Sequence, residues 1–149
     1  MSALLVTLHV VAAVFIIGPM AVLPMLALPS VRTRHAATLK RFATSTNLFS
    51  ILSLVVFVLG FGALAVSDPK DQFSVVTPWI LGSIILYLGA VSLNLFVTVP
   101  VMRGEAVRIQ SDSSASSEQR SRSYGTIAGS SGFSALALVA VVVLMVWKP

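Results

Sequence analysis

Residues 79–102 read WILGSIILYLGAVSLNLFVTVPVM and include no Asp, Glu, Lys or Arg. A helix needs roughly 20 mostly apolar residues to cross about 30 Å of hydrocarbon, because each residue adds about 1.5 Å. Lipid offers no partner to bare backbone groups, so a run of this kind must close its hydrogen bonds within itself as a helix. The stretch therefore predicts a transmembrane helix.

Three further stretches share this character, at about residues 2–28, 47–67 and 126–147. The whole chain has 149 residues, of which 56% are hydrophobic and 10% charged, and its mean hydropathy is +0.96. A soluble domain carries about 25% charged residues, so this chain has too little polar surface for water. We predict an all-α integral membrane bundle of four transmembrane helices, which forms one domain over residues 1–149.

The basic residues concentrate in two predicted loops, residues 29–46 and 103–125. These loops hold eight of the ten Lys and Arg residues, namely Arg32, Arg34, Lys40, Arg41, Arg103, Arg108, Arg120 and Arg122. By the positive-inside rule, short loops of this kind lie in the cytoplasm, which places both termini outside. The net charge of +5 is then a topology signal, and we expect no nucleic-acid partner.

The two basic loops differ in character. In the first, Arg32, Arg34, Lys40 and Arg41 are interspersed with apolar residues, so we predict that they contact the membrane surface. The loop is interpreted either as a short helix that lies on anionic headgroups or as an ordinary basic connector. The second loop contains SDSSASSEQRSRS at residues 111–123, and this low complexity is typical of mobile chain.

Small and polar side chains within the spans indicate helix packing. Helix association in lipid relies on close approach at small residues and on interhelical hydrogen bonds. In the third span such side chains recur at steps of three and four residues, so they share one helix face, and we predict that this face looks into protein. The residues that we predict to pack helices together are Ser53, Gly60, Ser83, Tyr87, Asn94, Gly129 and Gly132.

His9 is the histidine that falls within a predicted span. An ionisable group inside a membrane is a functional candidate, because its burial is costly. The roles open to it are haem ligand, metal ligand, quinone hydrogen-bond donor and proton relay. The alternative is a neutral histidine that hydrogen-bonds to Tyr87 or Ser83 at a similar depth. His9 is thus a candidate for cofactor binding, and no cofactor is assigned.

Two prolines interrupt the first span. Pro19 and Pro24 each lack an N–H and displace the carbonyl four residues earlier, which belongs to Phe15 and Met20 respectively. We therefore expect kinks in this helix. Such kinks line cavities in transporters, and they also occur in purely structural membrane helices.

No enzyme motif appears in the sequence. It has no metal-spaced cluster of His and carboxylate residues, no nucleotide-binding loop and no nucleophile with a nearby base. The predicted spans contain no carboxylate that could relay protons. We therefore do not expect an enzyme.

Two segments resemble an uncharacterised bacterial family of small predicted integral membrane proteins: LHVVAAVFIIGPMAVLPML at residues 8–26 and TPWILGSIILYLGAVSLNLFVTVPVMR at residues 77–103. Members of that family look like four-helix bundles and are distantly similar to the membrane domain of copper-resistance protein D. His9 matches the early histidine of the family, whereas Gly18 is followed by Pro19 where a second glycine is commoner. The resemblance implies a fold and no activity.

The size of the chain and its Ala-, Val-, Ser- and Arg-rich usage also look like small multi-helix proteins of high-GC actinobacteria. Those proteins are similar to accessory subunits of the respiratory supercomplex of cytochrome bcc and cytochrome aa3 oxidase. For a multi-pass protein of the bacterial inner membrane we weigh three hypotheses. The leading one is a non-catalytic accessory or assembly subunit of a larger complex, whose other membrane subunits are respiratory. The others are a small redox or metal-handling protein that uses His9 with haem or copper, and an oligomeric transporter.

Overall fold

The computed structural model describes residues 2–65, 76–111 and 116–147, and every regular element within these ranges is helical. Helix α1 (Ser2–Ala12), a π-helical turn π1 (Ala13–Ile17) and α2 (Gly18–Arg32) form the first rod, and α3 (Ala36–Ala65) forms the second. Helix α4 (Pro78–Leu93), a second π-helical turn π2 (Asn94–Thr98) and α5 (Val99–Gln110) form the third, and α6 (Ser117–Trp147) forms the fourth. The predicted all-α class is confirmed.

Each rod is long and apolar enough to cross a membrane. The four candidate spans are Ala3–Arg32, Ala36–Ala65, Pro78–Gln110 and Ser117–Trp147, with 30, 30, 33 and 31 residues. At about 1.5 Å per residue these helices are roughly 45–50 Å long, which exceeds the hydrocarbon thickness of about 30 Å. The excess length must be taken up by tilt or by extension into the headgroup region.

Helices extend into both predicted loops, residues 29–46 and 103–125. The loop expected over residues 29–46 is only a short turn at residues 33–35, since α2 ends at Arg32 and α3 begins at Ala36. The loop expected over residues 103–125 is helical to Gln110 and again from Ser117, so much of the Ser-rich stretch is helix. Both segments contain good helix formers, among them Ala, Leu, Lys, Arg, Glu and Gln. A helix of such residues continues past the hydrocarbon boundary.

A tight turn joins the first two spans. The Thr33 N–H donates to the Pro29 carbonyl at 2.9 Å, and the His35 N–H donates to the Ser30 carbonyl at 3.0 Å. Arg34 between them is left-handed, with φ of 54°. This is the pattern of a Schellman motif, in which glycine is the usual left-handed residue. The turn reverses the chain so that α2 and α3 pack side by side.

Both π-helical turns end two residues before a proline. Pro19 follows π1 and Pro100 follows π2. In an α-helix the proline ring collides with the carbonyl four residues earlier, here of Phe15 or Phe96. The wider turn shifts the pairing by one residue, as when the Val99 N–H donates to the Asn94 carbonyl, and this leaves room for the ring. The distortion expected at Pro19 thus takes the form of a π-turn, whereas Pro24 lies inside the regular helix α2.

The four spans form a closed ring of neighbours. Helix α2 packs against α3 and α6, α3 packs against α5, and α4 packs against α6. On the N-terminal side of π1 the first rod has fewer neighbours, because α1 packs mainly against α3. Large apolar side chains cover the outside of the bundle, and Phe15, Phe96 and Phe133 are 71%, 78% and 61% exposed. Such a surface suits lipid rather than water.

The interior has apolar clusters with a polar layer between them. One cluster lies at the end where α2 and α5 finish and α3 and α6 begin, which we call the basic end; it comprises Ala27, Val31, Leu39, Ala43, Met102, Ala106 and Ile127. The second cluster lies further along the bundle and comprises Met20, Tyr87, Ala90, Val91, Ala137 and Leu138. Between them along the third and fourth spans come Asn94, Thr98, Ser130, Ser131 and Ser134, all buried.

Candidate functional site

Tyr87 ties the third span to the second. Its hydroxyl lies 2.8 Å from Ser53 Oγ, and Ser53 Oγ lies 2.7 Å from the Ser50 carbonyl. Since that carbonyl can only accept, Ser53 donates to it and Tyr87 donates to Ser53. The Tyr87 ring also stacks on Phe57 of α3, with centroids 5.1 Å apart. Tyr87 is thus engaged by α3.

Hydroxyl groups tie the third span to the fourth. Thr98 Oγ1 lies 2.9 Å from Ser130 Oγ, and Ser134 Oγ donates to the Ala90 carbonyl at 3.4 Å. Ser83 is different, because its hydroxyl donates to the Trp79 carbonyl of its own helix at 2.8 Å. Within the part of the chain that the structure describes, Tyr87 and Thr98 on the polar face of the third span therefore join helices, and Ser83 does not.

Asn94 is the exception within this layer. Its side chain is 0% exposed, yet neither its amide nitrogen nor its amide oxygen has a hydrogen-bond partner among the described residues, and the same holds for Thr46 Oγ1 and Ser50 Oγ. The second and third spans are antiparallel, and Ser53 lies opposite Tyr87. Thr46 comes seven residues before Ser53, and Asn94 comes seven residues after Tyr87. Because the spans are antiparallel, both steps lead toward the basic end, so Thr46 and Asn94 lie at a similar depth. Unpaired buried polar groups are costly, so this layer holds unused hydrogen-bonding capacity.

His9 lies at the contact between α1 and α3. Its Nδ1 is 3.0 Å from the Val56 carbonyl, so the ring is protonated at Nδ1 and donates. A Cβ atom on Gly60 would lie 3.0 Å from His9 Cε1, and the missing side chain is what lets the ring approach. His9 hydrogen-bonds to neither Tyr87 nor Ser83, because the Tyr87 hydroxyl donates to Ser53 and the Ser83 hydroxyl donates to the Trp79 carbonyl.

The other ring nitrogen of His9, Nε2, has no hydrogen-bond partner in the described ranges. A histidine that donates from one nitrogen to a backbone carbonyl presents the lone pair of the other, which is the usual arrangement of metal-bound histidines. Among the described residues no group of three or more His, Cys, Asp or Glu could hold a metal ion. His9 therefore offers one ligand atom, and a metal or haem would need its other ligands from elsewhere.

The glycines predicted to pack helices divide into two kinds. Gly60 makes the close contact with His9, whereas no atom of the described chain lies within 4 Å of a Cβ built on Gly129 or Gly132. Gly129 is exposed, as is Gly125 four residues earlier on the same face. The predicted packing at Gly129 and Gly132 is thus not a contact within this chain, and it stays a prediction for a contact with another protein.

The four cations predicted to contact the membrane surface lie near the turn at the basic end. Arg32 ends α2, Arg34 lies in the turn, and Lys40 and Arg41 are exposed in the first turns of α3. Their contact with lipid stays a prediction.

Glu105 is a buried carboxyl that the sequence reasoning missed. It is 2% exposed in α5 and lies 3.4 Å from the guanidinium of Arg108. The predicted loop 103–125 includes this residue, because the apolar run ends at Met102. The available signal was the three-residue spacing to Arg108, which suits an ion pair on a helix.

These observations define an integral membrane protein with four apolar helices. The chain belongs to the family described as predicted integral membrane protein (DUF2269), which matches residues 3–149. The resemblance to a family of small membrane proteins is thereby confirmed, and the more distant similarity to copper-resistance protein D stays a prediction. No curated protein and no solved structure matches the chain.

Proposed function

We propose that this chain is a non-catalytic accessory or assembly subunit of a larger complex in the bacterial inner membrane. The observation that carries the proposal is the outward-facing glycine surface of α6, formed by Gly125 and Gly129. Small residues four apart let the backbones of two membrane helices approach closely. The hydroxyls of Ser53, Tyr87 and Thr98 join the helices of this chain to one another, whereas Gly125 and Gly129 are available to a helix of another subunit.

The assembly that we propose is the respiratory supercomplex of cytochrome bcc and cytochrome aa3 oxidase. Support for this choice comes from the size and residue usage of the chain. In that setting the protein would contribute helix packing to electron-transport subunits and would carry no electrons itself. Its basic end would lie in the cytoplasm, because cytoplasmic loops of membrane proteins are enriched in Lys and Arg.

Co-purification tests this function. The tagged chain is extracted from its native membrane in a mild detergent, and mass spectrometry identifies what is recovered in stoichiometric amount. We expect oxidase and cytochrome subunits, and we expect Gly129→Leu to reduce their recovery at least fivefold. The matched control is Gly89→Leu, which adds the same bulk at another exposed glycine with open space around it. Recovery of the wild-type chain alone would refute the proposal.

A second candidate function is supported by the free lone pair of His9. We propose as the alternative a small redox or metal-handling membrane protein in which His9 Nε2 binds haem or copper, completed by ligands from a second chain. Protein purified with its native lipids would then show a visible absorption band or bound copper. His9→Ala would abolish that signal, while His35→Ala, at the exposed histidine of the turn, would retain it. Wild-type protein with neither band nor metal would exclude this candidate.

A further inference from the structure

An open cavity of about 270 Å³ lies at the basic end, between the end of α2 and the beginning of α6. Its lining residues are Val31, Arg32, Ser117, Arg120, Ser121 and Tyr124. A water molecule occupies about 30 Å³ in the liquid, so the cavity has room for a much larger group. Two guanidinium groups and two serine hydroxyls, all hydrogen-bond donors, thus line one space.

The two cations that line the cavity have no acidic partner among the described residues. Arg32 is held with its guanidinium carbon 4.6 Å from the centroid of the Tyr124 ring, a contact that positions the cation without neutralising it. The carboxylate of Glu118 pairs with Arg122 at 2.9 Å, and that of Glu105 lies 3.4 Å from Arg108. In the described part of the chain, no carboxylate pairs with Arg32 or Arg120.

We propose that this cavity binds a phosphate group, with Arg32 and Arg120 as its cationic ligands and Ser117 and Ser121 as hydroxyl donors. Guanidinium groups suit phosphate because they form two parallel charge-assisted hydrogen bonds. Arg32 ends a span of 30 residues, which is longer than the hydrocarbon is thick, so the cavity opens at the depth of lipid headgroups. Basic pockets between helices at this depth bind anionic lipid headgroups. The same chemistry would also accept a soluble phosphate.

The experiment uses the full-length purified protein in a neutral detergent at fixed ionic strength. Phosphatidylglycerol, phosphatidylcholine or sodium phosphate is titrated in, and the apparent thermal midpoint is followed while native mass spectrometry counts bound lipid. We expect saturable stabilisation by phosphatidylglycerol. Arg120→Gln should weaken its apparent affinity about tenfold, the usual effect of losing one charge-assisted contact.

The matched control is Arg122→Gln, which removes the same charge from the same helix at a residue that does not line the cavity. We expect its affinity to stay within about twofold of the wild type, since an exposed charge outside the site adds little. If Arg120→Gln fails to fold, Ser121→Val removes a hydroxyl donor instead and should weaken binding severalfold.

The outcomes separate the sources of the phosphate. A shift with phosphatidylglycerol and none with sodium phosphate assigns a lipid headgroup, whereas an Arg120-dependent shift with sodium phosphate alone assigns a soluble phosphate. Equal weakening by Arg120→Gln and Arg122→Gln would show diffuse charge attraction and overturn the site. Absence of any saturable shift would overturn it as well.

Discussion

At the residue scale, the close approach of His9 to α3 depends on one missing side chain. The ring lies over Gly60, where a Cβ would come within 3.0 Å of it, and its Nδ1 donates to Val56 at 3.0 Å. In lipid the ring would otherwise lose this hydrogen bond with no water to replace it. Gly60 is therefore part of the histidine site, although it carries no chemistry.

The variant Gly60→Ala tests this role. The new methyl group should push the His9 ring away by a few tenths of an ångström and weaken its hydrogen bond to the Val56 carbonyl, at a cost of up to about 1 kcal/mol, so the apparent thermal midpoint in detergent should fall. Gly62→Ala is the control, because a Cβ at Gly62 meets nothing within 4 Å. There the better helix propensity of Ala should leave the midpoint unchanged or higher. Equal midpoints for the two variants would contradict the assigned contact.

The unpaired amide of Asn94 leads to a second prediction at this scale. Leu has nearly the shape of Asn and no polar atoms, so Asn94→Leu should stabilise the bundle by about 1–3 kcal/mol if the amide has no partner. Asn94→Ala is the comparison, since it removes the amide and leaves a cavity, and it should be less stable than Asn94→Leu. The measurement is the apparent thermal midpoint of each variant. A loss of stability in Asn94→Leu would show that the amide binds water or a group from outside the chain.

At the scale of the elements, a few side-chain hydrogen bonds set the relative rotation of the helices. Ser53 and Tyr87 join α3 to α4, and Thr98 and Ser130 join the third span to α6. The turn π2 lies between Tyr87 and Met102, and a π-turn shifts the helix face by one residue. This shift lets the residues on both sides of it face the interior, where both are buried.

A double-mutant cycle measures the link between α3 and α4. For Ser53→Ala combined with Tyr87→Phe, we expect a coupling free energy of about 0.6 kcal/mol, which is typical of hydrogen bonds between membrane helices. The control cycle pairs Ser53→Ala with Thr33→Ala, a residue in the turn at the basic end, and its coupling should be near zero. Unfolding free energies in the same detergent provide both values. A coupling free energy no larger than that of the control cycle would show that the hydrogen bond between Ser53 and Tyr87 does not stabilise the packing of α3 on α4.

At the scale of the whole molecule, the bundle has one strongly basic end and an apolar circumference. The turn at residues 33–35, the end of α5 and the beginning of α6 bring Arg32, Lys40, Arg103 and Arg120 to that end. Anionic lipid and the membrane potential both favour its placement in the cytoplasm. The predicted orientation therefore rests on charge and not on the packing inside the bundle.

Cysteine labelling tests the orientation, and the chain has no native cysteine to interfere. In spheroplasts, a membrane-impermeant maleimide should label Val76→Cys, which is exposed before α4. It should label Thr33→Cys in the turn only after the membrane is permeabilised. Permeabilised samples of both variants serve as the control for reactivity. The reverse labelling pattern would place the basic end outside.

The number and the type of the helices follow from the chain alone, for a simple reason. Four apolar runs without charged residues must become helices, because lipid leaves their backbone groups no other partners. The spacing of Ser83, Tyr87, Ala90, Asn94 and Thr98 also predicted an inward face, and all five are buried. These features depend only on local periodicity and on the solvent.

The partners across the bundle could not be predicted in this way. His9 bonds to a backbone carbonyl, Gly129 faces outward, and Arg32 and Arg120 line one cavity. Each of these outcomes depends on where the helices end and how far each is rotated about its axis. The apolar pattern leaves both open, because helices continue past the hydrocarbon and π-turns shift the face midway. Helix propensity and local turns set the ends, and only the packing of all four spans against one another sets the rotations.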